Sequence, residues 1–279
     1  MPPQIEIAGG RHIQRFDRFD RVLHGFLMLS FLGLATTGLP LLFGDAPWAS
    51  RLARGFGGFY VTHRLHRLFA TILIAVFLTH IGRLLERVIL KKDYSIFWGP
   101  SSMVPQPRDI TEMYRHLRWF VGLGDRPKFD RYAYWEKFDY WAVFWGMGII
   151  GGSGLMLWFP ELFSHLVPGW FFNIALLVHG EEALLAVGFI FTIHFFNSHL
   201  RPEKFPMDMV IFTGRVDEKE LREERPSEYA RLVANPVNPP RYVRTPSDRL
   251  WVAGRIIGTT AVVIGLTLVV MILAALLRY

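Results

Sequence analysis

The stretch FFNIALLVHGEEALLAVGFIFTIHFF covers residues 171–196 and contains only two charged side chains, Glu181 and Glu182. It is longer than the roughly 20 residues that an α-helix needs to cross a bilayer. Because lipid offers the backbone no hydrogen-bond partners, such a run is expected to be helical throughout. It also contains His179 and His194, and ionisable side chains inside a membrane usually serve a function.

Four other apolar runs are also long enough to cross a membrane. Together the five predicted spans are Val22–Phe43, Leu68–Leu90, Tyr140–Phe159, Phe171–Phe196 and Trp251–Leu277. The composition agrees with this assignment, since 51% of the 279 residues are hydrophobic. We therefore predict an all-α integral membrane protein with a four-helix transmembrane bundle and a fifth, C-terminal transmembrane helix.

The predicted domain organisation follows from these spans. Residues 1–21 form an N-terminal segment, and residues 22–199 form the four-helix domain with a loop at 91–137. Residues 200–250 form a charged loop, and residues 251–279 contain the fifth helix. The N-terminal segment is polar and no cleavage site follows it, so we expect the first run to be retained as a helix.

The two long loops contain secondary structure of their own. Pro and Gly residues surround one short predicted helix at Asp109–Phe120. The charged loop reads as an exposed helix that is broken at Pro226, followed by extended, irregular chain.

Lys and Arg are distributed unevenly among the connecting segments. They are abundant in residues 1–21, 91–137 and 200–250, whereas Pro160–Trp170 has none. The positive-inside rule then places the N-terminus in the cytoplasm and the C-terminus in the periplasm of a bacterial inner membrane. This distribution accounts for the net charge of +7 without a nucleic-acid partner.

The chain contains no cysteine. This excludes disulfides, Cys-ligated zinc, iron–sulfur clusters and covalently attached c-type haem. Any redox cofactor of this chain must therefore be held by histidine ligands or by the shape of its binding pocket.

The spacing of the histidines in the spans is the main functional signal. His66 and His80 are 14 residues apart, about 21 Å along a helix and about 40° from the same face. His179 and His194 are 15 residues apart, about 22 Å and about 60°. Because the second and fourth spans run in the same direction, His66 and His179 share an outer depth, and His80 and His194 share an inner depth. His24 also lies at the inner depth.

Matched depths on separate helices favour haem, because two facing helices can clamp a porphyrin between two imidazoles. We predict a haem-binding bundle with haem iron as its only metal and four axial ligands, His24, His66, His179 and His194. His80 stays open: it replaces His24 as partner of His194, ligates a third haem, or faces a polar cavity. Weaker candidates lie near the membrane interfaces, at His63 and His199.

Glycines and arginines near the histidines have two interpretations each. The third span contains GMGIIGGSG at residues 146–154, where glycine admits either a flat ring or a neighbouring helix. Four arginines stand where haem propionates would emerge, and each is equally an interfacial anchor: Arg21, Arg64, Arg67 and Arg83.

Four stretches together resemble a known family. They are RFDRFDRVLHGFLMLSFLGLATTGLPLLF (15–43), THRLHRLFATILI (62–74), YWEKFDYWAVFWGMGIIGGSGLMLWFP (134–160) and ALLVHGEEALLAVGFIFTIHFFNSH (175–199). Residues 10–215 resemble the cytochrome b subunits of respiratory formate dehydrogenases and nickel–iron hydrogenases. The sequence departs from that family in three ways: the histidines of the fourth span are one residue further apart, His80 is extra, and the fifth helix is extra.

The resemblance implies two haems b, the outer one ligated by His66 and His179 and the inner one by His24 and His194. A third haem would involve His80, with His199 as its partner. The resemblance also implies a quinone near the inner haem. The matching positions are Tyr134, Glu136 and Lys137, with Glu136 able to pass protons. Alternatively, Glu136 and Lys137 are interfacial charges.

The leading functional hypothesis is a membrane-anchoring cytochrome b subunit rather than a complete enzyme, with no catalytic residues of its own. It would carry electrons between a periplasmic iron–sulfur or multihaem cytochrome c subunit and membrane quinone, within a hetero-oligomeric complex in the lipid bilayer. An alternative is a membrane transporter or haem-handling protein that uses intramembrane histidines. A zinc hydrolase is disfavoured, because HGEEA at residues 179–183 lacks the two-histidine spacing.

Overall fold

The computed structural model describes residues 11–236 and 239–277. The chain divides into two compact units. We call them the loop unit (the segment ending at Arg21, Arg83–Trp141 and Met209–Gly254) and the helix unit (Val22–Gly82, Ala142–Asp208 and the segment beginning at Arg255). Parts of the predicted N-terminal segment (1–10), charged loop (237 and 238) and fifth helix (278 and 279) lie outside the described residues.

Five helices of the described chain are long and apolar enough to cross a membrane. They are α1, Arg18–Leu42; α3, Phe59–Leu90; α5, Tyr134–Trp158; α7, Trp170–Leu200; and α11, Asp248–Leu276. The shorter helices are α2, Pro47–Gly55; α4, Pro107–Phe120; α6, Pro160–Ser164; α8, Val210–Thr213; α9, Glu218–Glu224; and α10, Pro226–Ala234. The prediction of a largely helical protein with five apolar spans is confirmed.

The long helices begin before the apolar runs that predicted them. Helix α3 begins at Phe59 rather than Leu68, and α5 begins at Tyr134 rather than Tyr140. Hydropathy marks only the apolar part of a helix, whereas backbone hydrogen bonding continues through polar residues. At the start of α5 the Ala133 amide donates to Glu136 Oε2 at 2.8 Å, which satisfies one of the amides left unpaired at a helix N-terminus.

The core of the helix unit joins three of the long helices. Its buried residues come from α1, α7 and α11: Ala35, Leu39, Val187, Phe191, Phe195, Leu268 and Ile272. At Gly265 in α11 an added Cβ would lie 2.6 Å from the rings of Phe191 and Phe195. The fifth helix therefore packs directly against α7 at a position where only glycine fits.

Aromatic and polar contacts join α3, α5 and α7 in the same unit. The rings of Phe77 and Phe144 meet edge to face with centroids 5.3 Å apart. Trp145 Nε1 donates to Glu182 Oε2 at 3.2 Å. These contacts place α5 beside both α3 and α7.

The loop unit contains a small antiparallel sheet that the sequence analysis did not predict. Its strands are β1, His12–Gln14; β2, Arg215–Asp217; and β3, Tyr242–Val243, in the order β2-β1-β3. Ile13 pairs with Val216 and packs in a small core with Val210 and Leu221. Strands of two or three residues that pair across this sequence distance carry no hairpin signal, which explains the omission.

Buried charges tie three segments of the loop unit together. Glu228 accepts from Arg15 at 2.9 Å and from Arg131 at 3.1 Å, and 2% of its side chain is exposed. Arg131 also donates to the Arg15 carbonyl at 2.6 Å, and Arg15 donates to the Arg131 carbonyl. Buried charges are tolerated when they are paired and hydrogen-bonded in this way.

The helices predicted within the loops are present, but the charged one is not fully exposed as predicted, because Leu221 and Glu228 are buried in the core and ion pairs of the loop unit. Helix α4 matches the predicted Asp109–Phe120, and the predicted charged helix is divided into α9 and α10 at Pro226. Both α4 and α10 begin at a proline, which fits the first helical position because its missing amide is not needed there.

Candidate functional site

His66 and His179 lie side by side in the helix unit, as their predicted common depth requires. His66 is in α3, His179 is in α7, and their ring centroids are 6.3 Å apart with the ring planes at 85°. Each histidine lies within the first three turns of its helix. We call this arrangement the outer pair.

Each ring of the outer pair has a hydrogen-bond partner for Nδ1. His66 Nδ1 lies 3.0 Å from Thr37 Oγ1, and Thr37 donates its own proton to Gly33 O at 2.6 Å. Thr37 therefore accepts from His66. His179 Nδ1 lies 3.0 Å from Ile150 O, which can only accept. Both neutral rings thus carry their proton on Nδ1 and have a lone pair on Nε2.

Two glycines allow the rings to lie this close to neighbouring backbones. A Cβ added at Gly38 in α1 would lie 3.0 Å from His66 Cε1, and one added at Gly154 in α5 would lie 2.9 Å from His179 Cε1. The contact at Gly154 is closer than real Cβ atoms come, so an alanine there would displace the His179 ring, and the contact at Gly38 is tighter than most, so the His66 ring would have to shift slightly. The outer pair is therefore supported by α1 and α5 as well as by its own helices.

A second group of histidines lies toward the other ends of α1 and α7. His24 interacts electrostatically with both His194 and His199. His199 is buried, its ring packs against Phe195 with centroids 5.7 Å apart, and its Nδ1 has no hydrogen-bond partner among the described residues. His194 lies in a π-helical turn, Ile190–His194, a local distortion that often accompanies function. We call His24, His194 and His199 the inner group.

The other predicted candidates lie outside these two groups. His80 in α3 contacts Phe144 edge to face with centroids 6.2 Å apart, so its three alternatives stay open. His63 is exposed on the first turn of α3.

The three residues predicted to bind a quinone each contact a different side chain of the loop unit. The Tyr134 hydroxyl lies 3.2 Å from His116 Nδ1, and Glu136 Oε2 accepts from Arg225 at 2.8 Å. Lys137 is buried and donates to both carboxylate oxygens of Asp109, at 2.8 and 2.9 Å. Their quinone role stays a prediction, and their ion pairs fit the interpretation as anchoring charges.

The predicted arginines fall into two classes. In the loop unit, Arg21 donates to Phe212 O at 2.8 Å and Arg83 binds Asp17 at 2.7 Å. In the helix unit, Arg64 and Arg67 stand over the rings of Tyr60 and Trp158 at 5.0 and 5.3 Å. The buried Arg67 Nε has no hydrogen-bond partner among the described residues.

Sequence reasoning did not assign roles to Thr37, Gly38 or Ile150, and it placed Gly154 only within a glycine run that admits a flat ring or a neighbouring helix. Two weak signals were present, the TTG at residues 36–38 and the glycine-rich run of the third span. Neither identifies a ring partner until the facing helix is known.

No protein-family model matches the chain, and no curated protein matches it. The resemblance to cytochrome b subunits therefore stays a prediction.

Proposed function

We propose that this chain is a b-type cytochrome subunit of a membrane oxidoreductase complex, with two bis-histidine haems. The observation that carries the proposal is the outer pair: two imidazoles on different helices, 6.3 Å between centroids, each with its Nδ1 within hydrogen-bond distance of a partner. When bound, haem supplies reversible one-electron transfer.

The separation of the outer pair suits two axial ligands of one metal. Metal–imidazole bonds of about 2 Å on either side of an iron, with roughly 1 Å from each nitrogen to its ring centre, give about 6 Å between centroids. The observed 6.3 Å agrees with that value.

The donor set suits haem better than a bare metal ion. Among the described residues no group of three or more His, Cys, Asp and Glu side chains is arranged to hold a metal ion. A bare zinc or copper ion needs three or four protein ligands, whereas haem brings its own four and needs two. The Nδ1 bonds to Thr37 and Ile150 are the supporting contacts that ligating histidines usually have.

We assign the second haem to the inner group, with His24 and His194 as its ligands. Both lie on the helices whose other ends support the outer pair. His199 is the alternative partner of His24, because it is buried and its Nδ1 has no partner among the described residues. Arg64 and Arg67 lie one helical turn or less from His66 and would neutralise propionates of the outer haem.

Other subunits must supply the electron entry point in this proposal, because a chain without cysteine holds no iron–sulfur cluster or c-type haem. The partner is an iron–sulfur or multihaem cytochrome c subunit in the periplasm. The electron acceptor or donor in the membrane is a quinone near Tyr134, Glu136 and Lys137. This assembly is that of the formate dehydrogenase and hydrogenase cytochromes b.

The sheet of the loop unit supports the proposed topology. Strand β1 precedes α1, whereas β2 and β3 lie between α7 and α11. Strands of one sheet lie on one side of a membrane, so the chain crosses an even number of times between β1 and β2. Four spans, α1, α3, α5 and α7, satisfy this parity. The basic residues of these segments favour the cytoplasmic side for the N-terminus and the sheet.

The test is a haem count on the full chain purified in mild detergent from cells with ample haem. Pyridine haemochrome and reduced-minus-oxidised spectra should give two non-covalent, low-spin b haems per chain. His66→Ala and His179→Ala should each remove one haem, because either change breaks the same ligand pair. The matched control is His165→Ala, which alters an exposed histidine at the end of α6.

Haem-free wild-type protein would overturn the proposal and favour the transporter alternative. Unchanged haem content in both His66→Ala and His179→Ala would overturn the assignment of the outer pair.

A further inference from the structure

Helix α4 has a continuous apolar stripe that no part of the described chain covers. Ile110, Tyr114, Leu117 and Phe120 are 68%, 60%, 54% and 63% exposed, and Met113 is 41% exposed. Their spacing of three and four residues places them on one side of the helix. Val121 and Leu123 extend the exposed apolar surface beyond the end of the helix.

The charged residues of α4 lie on a different side from the stripe. At about 100° per residue the stripe occupies an arc of about 120°, and the arginines occupy about 80° of the remaining surface. These arginines are Arg108, Arg115 and Arg118. Arg118 lies nearest the stripe, with its guanidinium over the Tyr114 ring at 5.9 Å. The acidic Glu112 is partly buried, and burial together with the nearby Asp109 raises the pKa of its carboxyl group.

Two contacts hold α4 against the beginning of a membrane span. Asp109, near the start of α4, binds Lys137 of α5 at 2.8 Å. Two turns later His116 lies 3.2 Å from the Tyr134 hydroxyl and packs on the Trp135 ring with centroids 5.4 Å apart. These side chains form a third side of α4, next to the stripe. Both halves of α4 are therefore in contact with the beginning of α5.

The segment before α4 is also rich in exposed aromatic residues. Tyr94, Phe97 and Trp98 are all more than half exposed. Gln106 and Arg108 each donate to Gly99 O at 3.0 Å, which holds this segment to the start of α4. Tyr and Trp are enriched where proteins meet lipid headgroups, because their rings are apolar at one end and polar at the other.

We propose that α4 lies in the interface of the bilayer that α3 and α5 cross, with the stripe from Ile110 to Phe120 in contact with lipid. The lipid surface is favoured over another protein because α4 is bonded to the end of a span and has arginines beside the stripe, where their guanidinium groups can reach lipid phosphates. This is the pattern of helices that lie flat in the headgroup region. The proposal does not depend on haem.

The test uses the lack of cysteine in the natural chain. Leu117→Cys places a fluorescent label on the stripe, and Thr111→Cys and Arg118→Cys place the same label on the polar side. The full chain is reconstituted into phosphatidylcholine–phosphatidylglycerol vesicles with quencher-labelled lipids or with aqueous iodide. Val263→Cys, on an exposed face of α11, serves as the lipid-contact control.

The label at Leu117→Cys should show a blue-shifted emission, and lipids that carry the quencher near the headgroup should quench most of its fluorescence. The label at the control position, Val263→Cys, should instead be quenched most by lipids that carry the quencher deeper in the bilayer. The labels at Thr111→Cys and Arg118→Cys should be quenched by iodide and not by lipid. Equal quenching of Leu117→Cys and Thr111→Cys by iodide would overturn the proposal. Protection of Leu117→Cys from both quenchers would overturn it in favour of a protein contact, such as a second copy.

Discussion

The outer pair and the inner group contain the same kind of side chain but differ in how completely the protein arranges them. In the outer pair both rings have an Nδ1 partner, and glycines on two further helices fit against them. In the inner group, His199 is buried with an Nδ1 that has no partner among the described residues. Hydrogen bonds and packing therefore orient both rings of the outer pair, whereas the ring of His199 in the inner group lacks such a hydrogen bond.

The difference has a physical basis. A ring whose Nδ1 is bonded to a helix carbonyl or hydroxyl keeps one tautomer and one orientation before any metal binds. A buried, unpartnered ring nitrogen destabilises the protein by about 1–3 kcal/mol until it finds a partner. A bound group or an ordered water would therefore alter the inner group more than the outer pair.

The largest expected effect comes from removing the inner ligands one at a time. His194→Ala should remove one of the two haems, whereas His199→Ala should leave both, because we assign His194 as the axial ligand. The haem count per chain, with the reduced-minus-oxidised spectrum of the remaining haem, measures this. If His199→Ala lost a haem and His194→Ala lost none, the axial ligand would be His199 and not His194.

The next effect concerns the glycines that fit against the outer pair. Gly154→Ala should lower haem occupancy of the outer site by roughly 10-fold, the order seen when a contact that supports a ligand is lost. The reason is the added Cβ, 2.9 Å from His179 Cε1. Haem titration of the apoprotein provides the measurement.

The matched control is Gly152→Ala, where an added Cβ has no neighbour within 4 Å. Alanine favours helix over glycine by about 1 kcal/mol, so a weakened helix cannot explain a loss at Gly154. Equal haem occupancy in Gly154→Ala and Gly152→Ala would show that the His179 ring does not need the space beside Gly154.

A smaller effect is expected from the hydrogen bond of His66. Thr37→Val removes the acceptor of Nδ1–H and makes the imidazole a poorer donor to ferric iron. The midpoint potential of the outer haem should rise by up to about 60 mV, the equivalent of a tenfold change in relative affinity for one electron. Redox titration followed by absorbance measures the change.

Thr36→Val is the control for this change, because the Thr36 hydroxyl donates to Leu32 O of its own helix at 2.7 Å. Its potentials should match those of the wild type. A shift in the midpoint potential of the inner haem, with none in that of the outer haem, would contradict the assignment of Thr37 to the outer site.

The smallest expected effect is that of His80→Ala. With two haems assigned to the outer pair and the inner group, this variant should keep the wild-type haem count and both potentials. A fall from three haems to two would instead establish His80 as a ligand and extend the inner group to a third site.

Much of the fold could be predicted because hydropathy is a local property. The five spans are each visible in a window of about 20 residues, and α4 and α10 each begin at a proline that marks the helix start. The polar first turns of α3 and α5 were missed, since hydropathy does not report helix continuation. The sheet was missed because β1 pairs with strands about 200 residues away, His12 with Asp217.

The candidate site was only partly predictable for the same reason. The spacing of His66, His80, His179 and His194 predicted two depths, and His66 and His179 do lie together. The contacts of Thr37 and Gly154 depend on which faces of α1 and α5 turn inward, which spacing within one helix does not determine. The pairing of Lys137 with Asp109 joins residues 28 positions apart and was likewise not predicted.

The loop unit also affects how the protein is made. Strand β1 is synthesised before its partners β2 and β3, which follow only after α7, and Arg15 meets Glu228 across 213 residues. Until then β1 has no strand partner, and of the two side chains that pair with Arg15 only Arg131 has been made. A chain that ends before Arg215 lacks both partners of β1, so the sheet cannot form in it.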